Sequence, residues 1–196
     1  MQSSNKKTLL IILILLSVIA FCVKNDALFL FINQKLASGV LDFIVLYIFI
    51  PLFLLMGIIP FLMLVLKKDK MGFFSLFSGA FCYIAGNLIK LLFKMPRPYT
   101  IFADTRIIGP WHVSQYSFPS TTTMLAFGLA LPFLIERKGK WSWFFLTLAF
   151  LVGFTVIYTG FHFPRDVIFG ISLSLLFVYL LKKIKDKFIN EESLSS

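Results

Sequence analysis

His162 and Asp166 stand four residues apart in the segment Gly160-Phe161-His162-Phe163-Pro164-Arg165-Asp166. At that spacing a carboxylate can accept a proton from one imidazole nitrogen and leave the other free, which is the base-plus-orienter half of a nucleophilic or acid–base site. A structural histidine beside a helix-starting aspartate is the plainer reading of the pair taken alone. Two cations precede it in the chain. Lys90 falls near the end of an apolar run, and Arg97 follows between Pro96 and Pro98. Snorkelling at a helix end accounts for a cation such as Lys94, but less well for an arginine held between two prolines. A third segment, Phe118-Pro119-Ser120-Thr121-Thr122-Thr123, reads as a helix start. Free amides and hydroxyls at such a start can cap the helix, and they can also receive an anion. Two cations, a hydroxyl-rich helix N-terminus and a His–Asp pair together suggest phosphate chemistry. The imidazole would attack phosphorus and the cations would hold the developing charge.

These residues need elements to carry them, and the composition points to a membrane. Of 196 residues, 59% are hydrophobic and only 14% charged, with a mean hydropathy of +0.90. A soluble domain is nearer half apolar and a quarter charged. The length suits one domain, 1–196. The formal net charge of +10 sits in short clusters between apolar runs and forms no basic stripe, so nucleic acid is not an expected partner.

A spanning helix needs roughly 20 mainly apolar residues. Six segments are predicted, at about 8–23, 44–66, 71–93, 119–135, 142–161 and 166–181. The expected fold is therefore all-α, a six-helix transmembrane bundle. The first segment follows Lys6 and Lys7 but lacks a small-residue cleavage site, so it is read as a retained helix. Threading six spans puts Lys6, Lys7, Lys67, Lys68, Lys70, Arg137, Lys138, Lys140, Lys182, Lys183, Lys185 and Lys187 on one side. By the positive-inside rule that side is the cytoplasm. Both termini then lie inside, and the candidate site lies at the outer or periplasmic face of the cell membrane.

The connections carry fewer signals. Residues 24–43 mix apolar and polar types and suit either an interfacial amphipathic helix or a packed outer cap. The loop 95–118 is long and rich in breakers, and the polar tail 188–196 is expected to fray. Cys22 and Cys82 fall inside apolar runs and read as small buried hydrophobes, with no disulfide framework or metal spacing.

The ordered motifs resemble the type 2 phosphatidic acid phosphatase superfamily. The resemblance rests on Lys90, Arg97 and Pro98; on Pro119 and Ser120; and on Gly160, His162, Pro164, Asp166 and Gly170. It covers the core from about 86 to 170, and the six-helix plan extends it along the chain. It implies that Lys90, Arg97 and Ser120, with Thr121 and Thr122 beside them, bind phosphate. It implies that His162 is the nucleophile, forming a phosphohistidine, and that Asp166 orients it. No metal or cofactor is implied, the expected partner is a membrane lipid phosphate, and no protein partner is inferred.

Two of the family's motifs are departed from. Its second motif ends in a histidine that protonates the leaving group, and here that place holds Thr122. Its third motif begins Ser-Arg, and here those places hold Thr155 and Val156. A threonine cannot serve as a general acid near neutral pH, and loss of such an acid costs about 10²–10⁴ in rate. His112 could supply the proton, and Arg165 or Arg106 could replace the arginine. Each also has a plain reading as a loop or surface residue. A lipid monophosphate leaves a diphosphate without needing a proton, because the second pKa of a phosphate is about 6. A polyprenyl diphosphate is accordingly expected over a phosphatidate. Binding or transport of a lipid phosphate without hydrolysis, and phosphotransfer from His162 to an acceptor, are the alternatives.

Overall fold

A computed structural model describes residues 25–109, 114–136 and 139–195. The predicted segment 8–23 and His112 lie outside the described residues. Helices dominate what is described. Helix α1 covers Asp26–Leu30 and passes into a π-helical turn at Phe31–Lys35. The long helices are α2 (Gly39–Lys67), α3 (Lys70–Phe93), α6 (Lys140–Tyr158) and α7 (Pro164–Ser195). Between them lie the single turn α4 (Pro98–Ile101) and the 16-residue α5 (Thr121–Glu136). By length and composition α2, α3, α6 and the Pro164–Phe188 part of α7 can each cross a membrane.

The helix ends have local causes, and several of them differ from the predicted ones. Helix α2 begins at Gly39 rather than 44, because the Ser38 side chain accepts from Leu41 N and caps the start. Helix α3 stops at Phe93, where Lys94 takes a left-handed conformation (φ 47°) just ahead of Pro96. Helix α6 ends at Tyr158 rather than 161, because Gly160 turns the chain at φ 87°. A side chain there would be strained, and its Cβ would also fall 2.3 Å from the Arg106 carbonyl oxygen. Helix α7 starts at Pro164, a residue whose missing N–H is harmless in a first turn. It runs past Lys187 to Ser195, where fraying was expected. An established helix propagates through residues that would not nucleate one.

Helix α5 is the axis of the bundle and is buried on nearly every side. Three serines on three surrounding helices bind its backbone. Ser75 of α3 donates to Leu129 O (2.7 Å), Ser142 of α6 to Phe133 O (2.7 Å) and Ser174 of α7 to Met124 O (3.3 Å). In apolar surroundings hydroxyl-to-carbonyl bonds and small residues hold helices where hydrophobic burial cannot. Helix α3 crosses α5 closely, since a Cβ on Gly128 would lie 2.8 Å from Gly79 Cα.

The ends of the bundle are chemically distinct. At one end Glu136 pairs with Lys185 (2.5 Å) and Lys182 (3.6 Å), and Lys67 lies near Trp141. Lys90 lies 20 residues along α3 from Lys70, or about 30 Å at 1.5 Å per residue. The candidate site is therefore at the opposite end from the basic clusters. There the described part of the segment 24–43, residues 25–43, forms a packed cap in part. Phe29 and Asn33 are fully buried, while Leu28 and Phe31 remain exposed.

Candidate active site

Three elements bring the predicted residues together. Helix α7 supplies Asp166 in its first turn. One carboxylate oxygen, Oδ2, accepts from Phe163 N (2.9 Å), the reach-back bond of a capping box. The same oxygen lies 3.5 Å from His162 Nδ1. Asp166 therefore caps its own helix and faces the imidazole with one oxygen. The contact to His162 is an electrostatic one, too long to count as a hydrogen bond, and Nδ1 has no hydrogen-bond partner among the described residues. With Nδ1 turned to the carboxylate, Nε2 is the free nitrogen. The backbone at His162 is held by its own N–H on Val156 O (3.1 Å).

Helix α3 and the loop after it supply the cations. Lys90 and Arg97 are 3% and 2% exposed. Lys90 Nζ lies 3.5 Å from Thr121 Oγ1. Arg97 reaches the residue before His162, donating from Nη1 to Phe161 O (2.8 Å) and from Nε to Ser114 O (2.6 Å). Its backbone is fixed where Ser117 bonds Met95 O through N–H and Pro96 O through its hydroxyl.

Helix α5 distributes its hydroxyls around one turn. Ser120 N donates to Asp166 O (3.1 Å), which joins the start of α5 to that of α7. The Ser120 hydroxyl accepts from Thr123 Oγ1 (2.9 Å) and caps the helix. Thr121 faces Lys90, and Thr122 faces a cavity of about 290 Å³. His162 lines that cavity with Thr155 and Val156 of α6 and Phe49, Ile50 and Phe53 of α2. The two departures from the family's motifs, Thr122 and Val156, therefore share one uncharged wall beside the imidazole.

The electrostatics favour an anion. Lys90 and Arg97 are buried, and among the described residues Asp166 is the one buried carboxylate near them. Burial of cations without matching anions is unfavourable, so the arrangement gains from a negatively charged guest. Burial pushes the Arg97 guanidinium below its ordinary value, against the pull of Asp166. Burial also pushes the His162 imidazole down to about 4; Lys90 and Arg97 act in the same direction, and Asp166 opposes them. A neutral imidazole at neutral pH is the form that can attack.

The other sequence candidates stand elsewhere. Arg106 pairs with Asp42 (Nη2 to Oδ2, 2.7 Å) and donates to Asn33 O (3.1 Å). Arg165 lies over the Phe163 ring (4.8 Å), with its Nε 3.9 Å from Asp166 Oδ1. Neither lines the cavity that holds Thr122 and Val156. Sequence reading missed Asn33, Asp42 and Tyr158, although a carboxylate inside an apolar segment was a usable signal. It also missed the α2 wall of the cavity, whose phenylalanines resemble any lipid-facing residues.

An all-helical membrane protein with a buried, anion-seeking His–Asp site is the class that this fold and geometry define. The family model of the PAP2 superfamily matches residues 72–190, and the chain belongs to that superfamily. Undecaprenyl-diphosphatase BcrC of Bacillus subtilis (strain 168) is 30% identical over 111 residues, 56% of this chain and 55% of the relative. The bacitracin transport permease protein BcrC of Bacillus licheniformis is 30% identical over 126 residues, 63% of this chain and 61% of the relative. The matched stretch thus spans about six-tenths of these curated relatives. The crystal structure of a transmembrane PAP2 type phosphatidylglycerolphosphate phosphatase from Bacillus subtilis has the same fold. Its TM-score is 0.66 at 24% identity, covering 92% of this chain and 95% of that one.

Proposed function

We propose that this protein is an integral membrane phosphatase that removes the terminal phosphate of a polyprenyl diphosphate through a phosphohistidine at His162. The observation that carries this reading is the pair of buried cations, Lys90 and Arg97, gathered with Asp166 around a buried, neutral imidazole. His162 Nε2 attacks the terminal phosphorus as the bond to the bridging oxygen breaks, and the lipid monophosphate departs. Lys90, Arg97 and the Thr121 hydroxyl hold the transferred group, and Asp166 steadies the imidazole as it gains charge. Water then cleaves the phosphohistidine, releasing phosphate. Membership of the PAP2 superfamily and likeness to an undecaprenyl-diphosphatase support the lipid diphosphate. So does the uncharged wall at Thr122 and Val156, which offers no proton to an alkoxide.

The reading includes six spans, both termini in the cytoplasm and the site at the outer face. The clustering of lysines at the far end supports that orientation. The test is phosphate release from matched farnesyl mono- and diphosphate by wild-type protein and His162→Ala. Diphosphate turnover should exceed monophosphate turnover, and the variant should lose both. Faster monophosphate turnover would overturn the substrate, and full activity in the variant would overturn the nucleophile. One observation favours binding without hydrolysis as a second reading: neither Arg106 nor Arg165 lines the cavity where the missing arginine is needed. Saturable binding of farnesyl diphosphate with no phosphate release would select it.

A further inference from the structure

Outside the site, the densest polar cluster among the described residues joins the outer cap to α2 and α6. Asn33 is fully buried and uses its whole amide. Its Nδ2 donates to Tyr158 O (2.8 Å) and Arg106 O (2.9 Å), and its Oδ1 accepts from Arg106 N (3.0 Å). Arg106 passes on to Asp42, whose other oxygen accepts from Tyr158 Oη (2.5 Å). Cap, α2 and α6 are thus closed into one ring of bonds.

This ring ends next to the nucleophile. Tyr158 is the last residue of α6, four before His162. The Arg106 carbonyl, held by Asn33, fills the space beside Gly160 where a side chain would stand. Ile108 N reaches Thr159 O (3.4 Å) from the same strand of loop. On the far side of His162, the Phe163 ring packs on Phe29 of the cap (5.3 Å between centroids). The non-helical stretch between α6 and α7 is therefore bracketed at both ends by the cap.

We propose that Asn33, Asp42, Arg106 and Tyr158 form a latch that sets the position of His162 against Asp166. They are positioning residues and touch no substrate. The catalytic consequence rests on the reading of His162 as nucleophile, whereas the geometric one does not. A misplacement near 1 Å in a reacting group can lower a rate by about 10²-fold, so a looser latch should register in turnover.

The experiment exploits the presence of only two histidines. In a His112→Gln background the imidazole NMR signal in detergent belongs to His162 alone. Its surroundings are Asp166 from α7, Lys90 from α3 and Arg97 from the following loop. Tyr158→Phe removes a single oxygen, and Asp42→Asn keeps its shape. Each should move the His162 signal and shift its titration midpoint by about half a pH unit or more. In proteins that retain His112, each should lower kcat for farnesyl diphosphate about tenfold with KM within about twofold, and the double variant should lose less than the product of the two. An unchanged His162 signal in both variants overturns the latch, whatever happens to thermal stability. If wild-type protein releases no phosphate, the phosphatase reading fails, and the NMR result still decides the latch.

Discussion

On one side of His162 stand Lys90 and Arg97, buried and charged; on the other, Thr122, Thr155 and Val156 line a cavity that carries no charge at all. In the proposed reaction the first side would hold the group that is transferred, and the second would face whatever departs. A site that keeps its phosphate cradle intact while its opposite wall is neutral suits a leaving group that needs no help. The largest expected effect tests the charged side. Arg97→Ala should lower diphosphate turnover by about 10²–10³, the loss seen when one transition-state donor is removed. Arg97→Lys should recover little, because only a guanidinium can bond Phe161 O and Ser114 O together. Val156→Ala, on the neutral side, should leave diphosphate turnover within about threefold, since it removes no donor and no charge. Equal losses at the two positions, measured as initial rates, would dissolve the contrast.

The neutral side is tested by giving it what it lacks. Thr122→His places an imidazole on the cavity wall beside His162. If the missing acid is what disfavours monoesters, farnesyl monophosphate turnover should rise by about 10²-fold. Diphosphate turnover should change little, because its leaving group already carries its charge comfortably. A variant with both rates unchanged, confirmed as folded by its thermal unfolding, would place the acid elsewhere in the chain.

The two sides were unequally legible in the sequence. Lys90, Arg97 and the His162–Asp166 pair declared themselves, because charge in an apolar chain is conspicuous. Thr122 and Val156 were noticed only as departures, and nothing in their types said that they share one wall. That follows from the N-terminal turn of α5, where the Ser120 hydroxyl meets Thr123 of its own helix, Thr121 meets Lys90 and Thr122 lines the cavity. Helix α5 showed as an apolar run, yet its place at the bundle axis rests on serines from α3, α6 and α7 that look unremarkable one at a time. Arg106 was a reasonable substitute for the missing arginine until its partners Asp42 and Asn33, more than 60 positions away, came into view. Pairings over such distances leave no local pattern.

Proton binding links the two sides to stability. Burial lowers the His162 imidazole from its ordinary 6.5 to about 4. Between those values the unfolded chain binds a proton that the folded chain refuses. Stability is then complete above about pH 6.5 and falls as the pH drops toward 4. The slope approaches 1.4 kcal/mol per pH unit. Thermal unfolding in detergent across this range should show the fall in wild-type protein and a flatter profile in His162→Gln. Identical profiles would mean that His162 is no more buried than in the unfolded chain.

The smallest effect concerns one hydroxyl on the neutral side. Thr155 Oγ1 is buried and has no hydrogen-bond partner among the described residues, although its residue lines the cavity beside His162. An unpaired buried donor costs about 1–3 kcal/mol. Thr155→Val keeps the shape and removes the donor, so the empty protein should gain up to about 1 kcal/mol, or about 2–4 °C in Tm for a chain of this size. In the proposed reaction this residue, with Thr122 on the same wall, would supply a neutral donor to an oxygen of the departing lipid phosphate. The variant should therefore raise KM for farnesyl diphosphate about fivefold, the worth of one neutral hydrogen bond, with kcat nearly unchanged. The opposite pattern, a lower Tm with KM unaltered, would make Thr155 a packing residue. The cavity side would then contribute shape alone to the site.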